Sequence, residues 1–242
     1  MKNLKDKAAV ITGGNSGIGY ATAKALNEKG AKVIITGRRK EAIEQAASEL
    51  NVSGLLADQS NLSDIEKLVP EVKERFGKVD ILLINAGITK FAPIELMTEN
   101  MFDEIMNVNF KGAYFTLSKF IPVLNDAASV VLLSSTSATI SPQCASVYAA
   151  SKAALNAVMK IAALELAPRK IRVNAVSPGP VATEIMNKIG LDTDLEKQLN
   201  SSIPLSRLGT ADEVADLITY LSGDNAAFIT GSNFLIDGGQ SV

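Results

Sequence analysis

The sequence predicts an α/β protein with a doubly wound, seven-stranded parallel sheet and helices on both faces. Three observations support this prediction. Short apolar runs alternate with helical segments along the whole chain, the first run leads directly into a glycine-rich loop, and later runs end at polar or glycine-containing segments. Parallel strands are buried on both faces, so they read as continuous apolar runs. A length of 242 residues with 47% hydrophobic content suits a single domain over residues 1–242.

The composition excludes several classes of function. One cysteine excludes an internal disulfide, and the absence of histidine removes the usual zinc ligands and histidine-dependent triads. The 24 basic and 26 acidic residues are interspersed and give a net charge of -2, which offers no basic field for nucleic acid. Charges such as Lys160 and Glu165 interrupt the most apolar stretch, and the first residues, M-K-N-L-K-D-K, lead straight into a strand-like run. We therefore expect no membrane span, no signal peptide and a cytoplasmic protein.

The first strand and the loop after it predict a phosphate-binding site. Lys7 to Thr12 (K-A-A-V-I-T) is an apolar run, residues 13–19 read G-G-N-S-G-I-G, and helical periodicity starts at Tyr20. Glycines let the backbone approach a pyrophosphate, and a helix N-terminus supplies N–H groups and a favourable dipole. The spacing G-x-x-x-G-x-G differs from the more common G-x-G-x-x-G.

The end of the second strand indicates which dinucleotide is bound. An acidic residue there accepts from the ribose 2′-hydroxyl of NAD, whereas a nearby arginine accommodates the 2′-phosphate of NADP. Here Gly37 occupies the acid position and Arg38 and Arg39 follow, which favours NADP(H) over NAD(H). The alternative is that these cations open a solvated helix, although cations oppose the dipole at a helix N-terminus.

The remaining segments continue the alternation. The predicted elements are a helix at 39–50, a strand at 54–57 closing at Asp58, a helix at 62–76, a strand at 79–84 followed by Asn85-Ala86-Gly87, helices at 98–107 and 109–126, a strand at 130–134, a helix at 147–167, a strand at 171–176, a helix at 211–222 and a strand at 233–236. The irregular segment at about 184–206 is a candidate lid or substrate loop.

Acid/base chemistry is predicted at Tyr148. If Tyr148 begins a helix, Lys152 lies one turn further along the same face, at a Cβ separation of roughly 5–6 Å. A neighbouring ammonium favours the phenolate and makes tyrosine a usable acid or base. Ser135 ends an apolar strand and could bring a hydroxyl to the same place. Cys144 is expected as a pocket-side or buried thiol.

The ordered motifs resemble those of the short-chain dehydrogenase/reductase family, whose short members are one Rossmann domain. The resemblance covers essentially the whole chain. It rests on T-G-G-N-S-G-I-G (12–19), Asp58, N-A-G (85–87), Asn109, Ser135, Y-A-A-S-K (148–152), P-G (178–179) and D-G-G (237–239).

The resemblance implies a catalytic set of Asn109, Ser135, Tyr148 and Lys152. Tyr148 would exchange a proton with the substrate oxygen, and Ser135 would orient that oxygen. Lys152 would hold the nicotinamide ribose and favour the phenolate, while Asn109 would keep a water in place for a proton relay. By residue type alone, Asn109 could equally be a kink or cap in a helix.

The resemblance also implies a set of cofactor-binding residues. Two departures from the family pattern are Gln59, where Val or Leu is more common, and Ser16, where some NADP(H) members have a basic residue. The implied residues are Gly13, Asn15, Ser16, Gly17, Ile18 and Gly19 at the pyrophosphate, Arg38, Arg39, Asp58 and Gln59 at the adenosine, Asn85, Ala86, Gly87, Tyr148 and Lys152 at the nicotinamide half, and Pro178, Gly179, Val181 and Thr183 at the carboxamide.

The resulting expectation is an NADP(H)-dependent oxidoreductase that acts on a small ketone, aldehyde or secondary alcohol. Within this class the alternatives are a 3-oxoacyl-[acyl-carrier-protein] reductase and a sugar dehydrogenase. From another class, the chain could be a catalytically silent cofactor-sensing regulator. The small and apolar surface of the 147–167 helix predicts a homo-oligomer, with a tetramer favoured over a dimer.

Overall fold

The computed structural model describes residues 4–140, 142–183, 197 and 199–242. Seven strands form its central sheet: β1 (Ala8–Thr12), β2 (Lys32–Gly37), β3 (Ser53–Leu56), β4 (Val79–Ile84), β5 (Leu124–Leu133), β6 (Arg172–Pro178) and β9 (Asn233–Ile236). Their order across the sheet is β3-β2-β1-β4-β5-β6-β9, and every neighbouring pair is parallel. The predicted doubly wound seven-stranded fold is confirmed.

Two short strands, β7 (Val181–Ala182) and β8 (Gly209–Thr210), pair with each other outside the main sheet. The described α-helices connect the strands. They are α1 (Gly17–Glu28), α2 (Lys40–Leu50), α3 (Leu62–Phe76), α4 (Glu99–Met106), α5 (Ala113–Phe120), α6 (Ser137–Ile140), α7 (Ser146–Leu166) and α8 (Ala211–Ser222).

Two hydrophobic layers hold the helices on the sheet. On one face α3, α5 and α7 pack through side chains such as Val72, Phe120 and Met159. On the other face α1, α2 and α8 pack through side chains such as Leu26 and Ile218. Because both faces are covered, polar side chains gather at the strand ends, and these ends form the site.

The structure differs from the prediction where α5 meets β5. The predicted helix at 109–126 ends at Phe120, and β5 begins at Leu124 instead of residue 130. The polar start of β5 is held by Arg169, which donates to the carbonyl oxygens of Ile121 and Leu124 at 2.8 and 2.6 Å and to Asp126 at 2.9 Å. A side chain from a distant segment therefore overrides the local pattern.

The helical stretch Ser146–Arg169 is, within the described ranges, the only one long and apolar enough to cross a membrane by length and composition. Leu155, Met159 and Leu166 on this helix are buried in the layer that covers the sheet. The face of this helix that carries these residues is therefore part of the core.

Candidate active site

The candidate site residues meet at the carboxyl edge of the sheet. All seven strands of the sheet run in parallel, so the segments that follow β1, β2, β3, β4, β5 and β6 emerge at the same edge. Ligands of open α/β sheets bind at this edge, where the strand order reverses. Here β1 is paired with both β2 and β4, which makes the β1 end the point of reversal.

At Gly13 and Gly19 the loop after β1 has no space for a Cβ atom. A Cβ atom on Gly19 would lie 2.3 Å from the carbonyl oxygen of Gly13, and Gly13 itself has a φ of +64°. Gly17, with a φ of +54°, begins α1. The loop thus exposes backbone where it enters the helix N-terminus, which is the geometry that favours a bound phosphate.

Asn85 and Thr12 hold this loop against the end of β4. The Asn85 amide donates to the carbonyl oxygens of Thr12 and Gly13, both at 2.9 Å. In return, the Thr12 hydroxyl oxygen accepts from the backbone N–H groups of Asn85 and Ala86 at 3.0 and 3.1 Å. The Asn85 side chain and backbone therefore clamp the glycine loop against the end of β4.

Gly37 lies close to the glycine loop. A Cβ on Gly37 would lie 2.8 Å from Oδ1 of Asn15 and 2.9 Å from Cδ1 of Ile43. Any larger residue at position 37 would therefore clash with its neighbours. Packing is thus a second reason for glycine at this position, in addition to a preference for NADP(H) over NAD(H). Arg38 and Arg39 follow on the exposed surface.

Asp58 and Gln59 lie beyond β3. Oδ1 of Asp58 accepts from the backbone and hydroxyl of Ser60 at 2.9 and 2.8 Å. The Gln59 amide donates to the carbonyl oxygens of Ala86 and Val108, both at 3.0 Å, while its Oε1 is buried without a partner. Gln59 thus joins the N-A-G segment after β4 to the segment around Val108 through hydrogen bonds, which Val or Leu could not make.

Tyr148 lies in the first turn of α7, with its side chain next to two other hydroxyl groups. Burial raises the pKa of the Tyr148 phenol, whereas hydrogen bonds with the side chains of Ser135 and Thr89 lower this pKa. The edge of the Phe91 ring packs on the Tyr148 ring at a centroid distance of 6.1 Å. The structure thus brings Ser135 and Tyr148 together, as the sequence predicts.

Lys152 is buried beside Tyr148, with only 4% of its surface exposed. Its Nζ atom donates to the carbonyl oxygen of Leu133 at 2.8 Å and lies 5.9 Å from the centroid of the Tyr148 ring. Burial disfavours the ammonium and lowers the pKa of Lys152 from 10.5 to about 8. At mildly alkaline pH a substantial fraction of the Lys152 side chains is therefore the neutral amine.

Asn109 lies in a π-helical segment, Asn107–Gly112, between α4 and α5. Its side chain accepts from the backbone N–H of Ile88 at 2.8 Å and donates to the Ile88 carbonyl oxygen at 2.9 Å. It also donates to the Ser151 hydroxyl at 3.3 Å, and Ser151 donates to the Tyr148 carbonyl oxygen at 2.7 Å. π-Helical turns are frequent at functional sites. Asn109 therefore ties the end of β4 to α7.

Gly87 joins the N-A-G motif to the catalytic candidates. A Cβ atom on Gly87 would lie 3.4 Å from Oδ1 of Asn109 and 3.5 Å from Nζ of Lys152. The three motifs carrying these residues are far apart in sequence, so the sheet is what brings them together.

The segment after β6 approaches the glycine loop from the other side. The Pro178 carbonyl oxygen accepts from the backbone N–H of Thr136 at 3.0 Å, and Val181 is buried. A Cβ on Gly17 would lie 3.4 Å from Cγ2 of Thr183. Thr183 therefore lies over the phosphate loop, while most of the predicted substrate loop at 184–206 lies outside the described residues.

Sequence reasoning missed three residues of the site: Thr12, Thr89 and Ser151. Thr12 and Ser151 belong to the motifs quoted above, but Asn85, Ala86 and Asn109, which donate to their hydroxyls, come from other segments. Cys144 is exposed, which excludes a buried thiol and leaves the pocket-side thiol as a prediction. In the part of the chain that the structure describes, no group of three or more His, Cys, Asp or Glu side chains could hold a metal ion.

The residues present fit a nicotinamide dinucleotide. Gly17 and Gly19 leave the N-terminus of α1 without side chains at these two positions, and the half-buried Tyr148 and the buried Lys152 lie at the same edge of the sheet. Such a site combines an anion-binding helix N-terminus with an acid/base pair.

Comparisons with known proteins agree with this geometry. A family model described as enoyl-(acyl carrier protein) reductase matches residues 13–241. The NAD-dependent glycerol dehydrogenase of Listeria innocua is 35% identical over 99% of this chain and 96% of its own length. The chain belongs to the short-chain dehydrogenase/reductase family, and it is an oxidoreductase of that family which binds a nicotinamide cofactor.

Two further comparisons name another activity and another cofactor. The 3-oxoacyl-[acyl-carrier-protein] reductase FabG of Staphylococcus epidermidis is 34% identical over 97% of this chain and 99% of its own. The structure of a blue fluorescent protein from a metagenomic library, in complex with NADPH, is 26% identical and has a TM-score of 0.93, covering 99% of this chain and 100% of that chain. Similar proteins therefore use either form of the cofactor.

Proposed function

We propose that this protein transfers hydride between NADP(H) and a small ketone, aldehyde or secondary alcohol. The observation that supports it best is the convergence around Gly87, where a Cβ atom would lie 3.4 Å from Asn109 and 3.5 Å from Lys152. Ser135 and Tyr148 complete the group through their hydroxyl interaction. When bound, the nicotinamide supplies or accepts the hydride.

The protein's own residues position the substrate oxygen and move its proton. Tyr148 donates a proton to that oxygen during reduction and accepts one during oxidation, while the Ser135 hydroxyl orients the oxygen. Lys152 would hold the ribose hydroxyls with its amine, which donates to the Leu133 carbonyl oxygen. Asn109 fixes the junction between the end of β4 and α7, where a water can relay the proton to solvent. Holding these groups in advance reduces the entropic cost of the reaction.

The preference for NADP(H) rests on residues 37 and 38. Gly37 places no carboxylate near the adenosine ribose, and the exposed Arg38 guanidinium is available to a 2′-phosphate. No acidic group at this strand end favours a 2′-hydroxyl. The planar guanidinium of an arginine can also bind a phosphate through two parallel hydrogen bonds.

A 3-oxoacyl-[acyl-carrier-protein] reductase is the second candidate, because a relative with that name covers the whole chain. A carrier protein is acidic and needs a basic surface, for which Arg169 and Lys170 are the candidate cations. Arg169, however, is engaged with Asp126 and two carbonyl oxygens. This favours a free small molecule over a carrier-bound substrate.

A catalytically silent regulator is disfavoured, because such a protein would not need the Tyr148–Lys152 pair.

A homo-oligomer and a cytoplasmic location stay predictions. Support for assembly comes from the outer face of α7, where Ile161 and Leu164 are 56% and 77% exposed. Exposed apolar residues on one helix face are typical of subunit contacts.

The test is a screen of NADPH oxidation with the full chain across ketones, acyl thioesters and sugars. Oxidation with small ketones supports the proposal, and oxidation with acyl thioesters alone supports the carrier-protein reductase. Binding of NADPH without turnover of any class, or a clear preference for NADH over NADPH with every active substrate, contradicts it.

A further inference from the structure

Gln59 connects two segments of the candidate active site through its side-chain amide. Its Nε2 atom donates to the carbonyl oxygen of Ala86 and to that of Val108, both at 3.0 Å. Ala86 immediately precedes Gly87 in the N-A-G motif, and Val108 likewise precedes the catalytic candidate next to it in sequence, Asn109. The amide therefore spans the two segments that meet at the site, where a Cβ atom on Gly87 would lie 3.4 Å from Oδ1 of Asn109.

The orientation of the Gln59 amide is fixed by its partners. Both are carbonyl oxygens, which only accept hydrogen bonds, so the nitrogen of the amide must face them. Only 7% of the Gln59 surface is exposed. Its Oε1 atom is buried and has no hydrogen-bond partner within the described ranges. A buried acceptor without a donor costs free energy, so the two hydrogen bonds of the nitrogen are what this side chain contributes.

The backbone of Gln59 also packs against the π-helical segment Asn107–Gly112. A Cβ atom on Gly112 would lie 2.0 Å from the carbonyl oxygen of Gln59. Gln59 thus contacts this segment near its start, through Val108, and at its end, through Gly112. A π-helical turn interrupts the regular hydrogen bonding of the flanking α-helices. A side-chain donor to one of its carbonyl oxygens therefore stabilises the turn that carries Asn109.

We propose that Gln59 is a positioning residue that acts through Asn109. Its two hydrogen bonds fix the spacing between the N-A-G segment and the π-helical segment, and so hold the Asn109 side chain on the backbone of Ile88. The inference rests on the proposed function, in which Asn109 keeps the proton relay behind Tyr148 in place. An apolar residue at position 59 would leave both carbonyl oxygens without these bonds.

The test replaces Gln59 by Met, whose side chain has a similar length and no donor. Asn27→Met is the matched control, because the Asn27 amide also donates to a backbone carbonyl oxygen, that of Leu50, at 2.9 Å. Asn27 lies near the C-terminal end of α1, about 15 Å along the helix axis from Gly17 and the carboxyl edge of the sheet. Its replacement removes a comparable hydrogen bond without touching the site.

Hydrogen exchange tests the position of Asn109 without any substrate. The N–H of Ile88 donates to Oδ1 of Asn109, so its exchange rate in the full chain, measured by NMR, reports that bond. We expect Gln59→Met to speed exchange at Ile88 by about tenfold relative to the amide of Leu82, which is fully buried in β4. Asn27→Met should leave this ratio at the wild-type value. An unchanged ratio in Gln59→Met, or an equal change in both variants, overturns the proposal.

Turnover tests the consequence for catalysis. With a ketone that the wild type reduces, single-turnover oxidation of bound NADPH should be about tenfold slower in Gln59→Met, because misplaced groups react slowly. The Kd for NADPH should change by less than about twofold. In an Asn109→Ala background, Gln59→Met should slow the reaction by less than a further factor of about two, since residues that act together are not additive. Additive effects, or a changed Kd with an unchanged single-turnover rate, overturn the role through Asn109. Full activity of Tyr148→Phe instead overturns the proposed function.

Discussion

The Nζ atom of Lys152 lies 5.9 Å from the ring centroid of Tyr148 and is anchored by a 2.8 Å hydrogen bond to the carbonyl oxygen of Leu133. The amine is therefore held by the last residue of β5, and the phenol by the hydroxyls around it. In the free protein the hydrogen bonds that lower the pKa of Tyr148 come from Ser135 and Thr89. We propose that the buried amine binds the ribose hydroxyls of the cofactor.

This burial of Lys152 predicts a trade-off between activity and stability. Burial lowers the pKa of Lys152 from 10.5 to about 8. Below pH 8 the side chain is therefore an ammonium in both the folded and the unfolded state. Burying this charge lowers the free energy of unfolding by about 3 kcal/mol, at 1.36 kcal/mol per pKa unit. As the pH rises from 8 to 10.5, the folded state loses its proton first and the cost disappears.

Lys152→Met should therefore be inactive and more stable than wild type at neutral pH. Denaturant unfolding of the two proteins from pH 7 to 10.5 measures the difference, which should shrink as the pH rises. A difference that grows with pH, or a variant less stable than wild type throughout, contradicts this reading of the buried amine.

Gly19→Ala should weaken nucleotide binding, because its Cβ would lie 2.3 Å from the Gly13 carbonyl oxygen and 2.6 Å from Nδ2 of Asn85. Overpacking of this kind costs about 1–3 kcal/mol, which corresponds to about 5- to 150-fold in Kd if the loop must distort to bind. Titration of the protein with NADPH measures the change.

Gly223→Ala is the matched control for Gly19→Ala, since its nearest contact would be an ordinary 3.7 Å to the Tyr220 carbonyl oxygen. It should bind NADPH as wild type does. Equal affinity of Gly19→Ala and Gly223→Ala would show that the loop does not hold the cofactor.

Gly37→Asp should shift cofactor preference toward NAD(H), because a carboxylate there accepts from the ribose 2′-hydroxyl and repels a 2′-phosphate. The new Cβ also clashes with Asn15 and Ile43, so Gly37→Ala, which has the same Cβ without the carboxylate, is the reference. Relative to Gly37→Ala, the ratio of NADH to NADPH affinity should rise about tenfold or more, as expected for a hydrogen bond to a charged group. An unchanged ratio, or a wild type that already prefers NADH, shows the argument from Arg38 to be wrong.

Much of the site follows from local sequence. Parallel strands must end at one edge, so the positions of the glycine loop, Asn85 and Ser135 at that edge could be predicted from the apolar runs. The bounds of α8 were likewise predictable, because Thr210 and Glu213 form a reciprocal capping box at its start.

Other features depend on contacts between distant segments. The early start of β5 requires Arg169, and the clamp on the glycine loop requires the Thr12 hydroxyl to meet β4. Thr89 has no local signal, since its partner Tyr148 comes from α7. Hydroxyl groups carry little periodic information, so only the folded structure shows which of them meet.

The account depends most on Tyr148, and Tyr148→Phe tests it most directly. With a ketone that wild type reduces, single-turnover oxidation of bound NADPH in Tyr148→Phe should be slower by about 100-fold or more, the usual contribution of a general acid, while the Kd for NADPH stays the same. A Tyr148→Phe variant that oxidises bound NADPH at the wild-type rate would contradict the account.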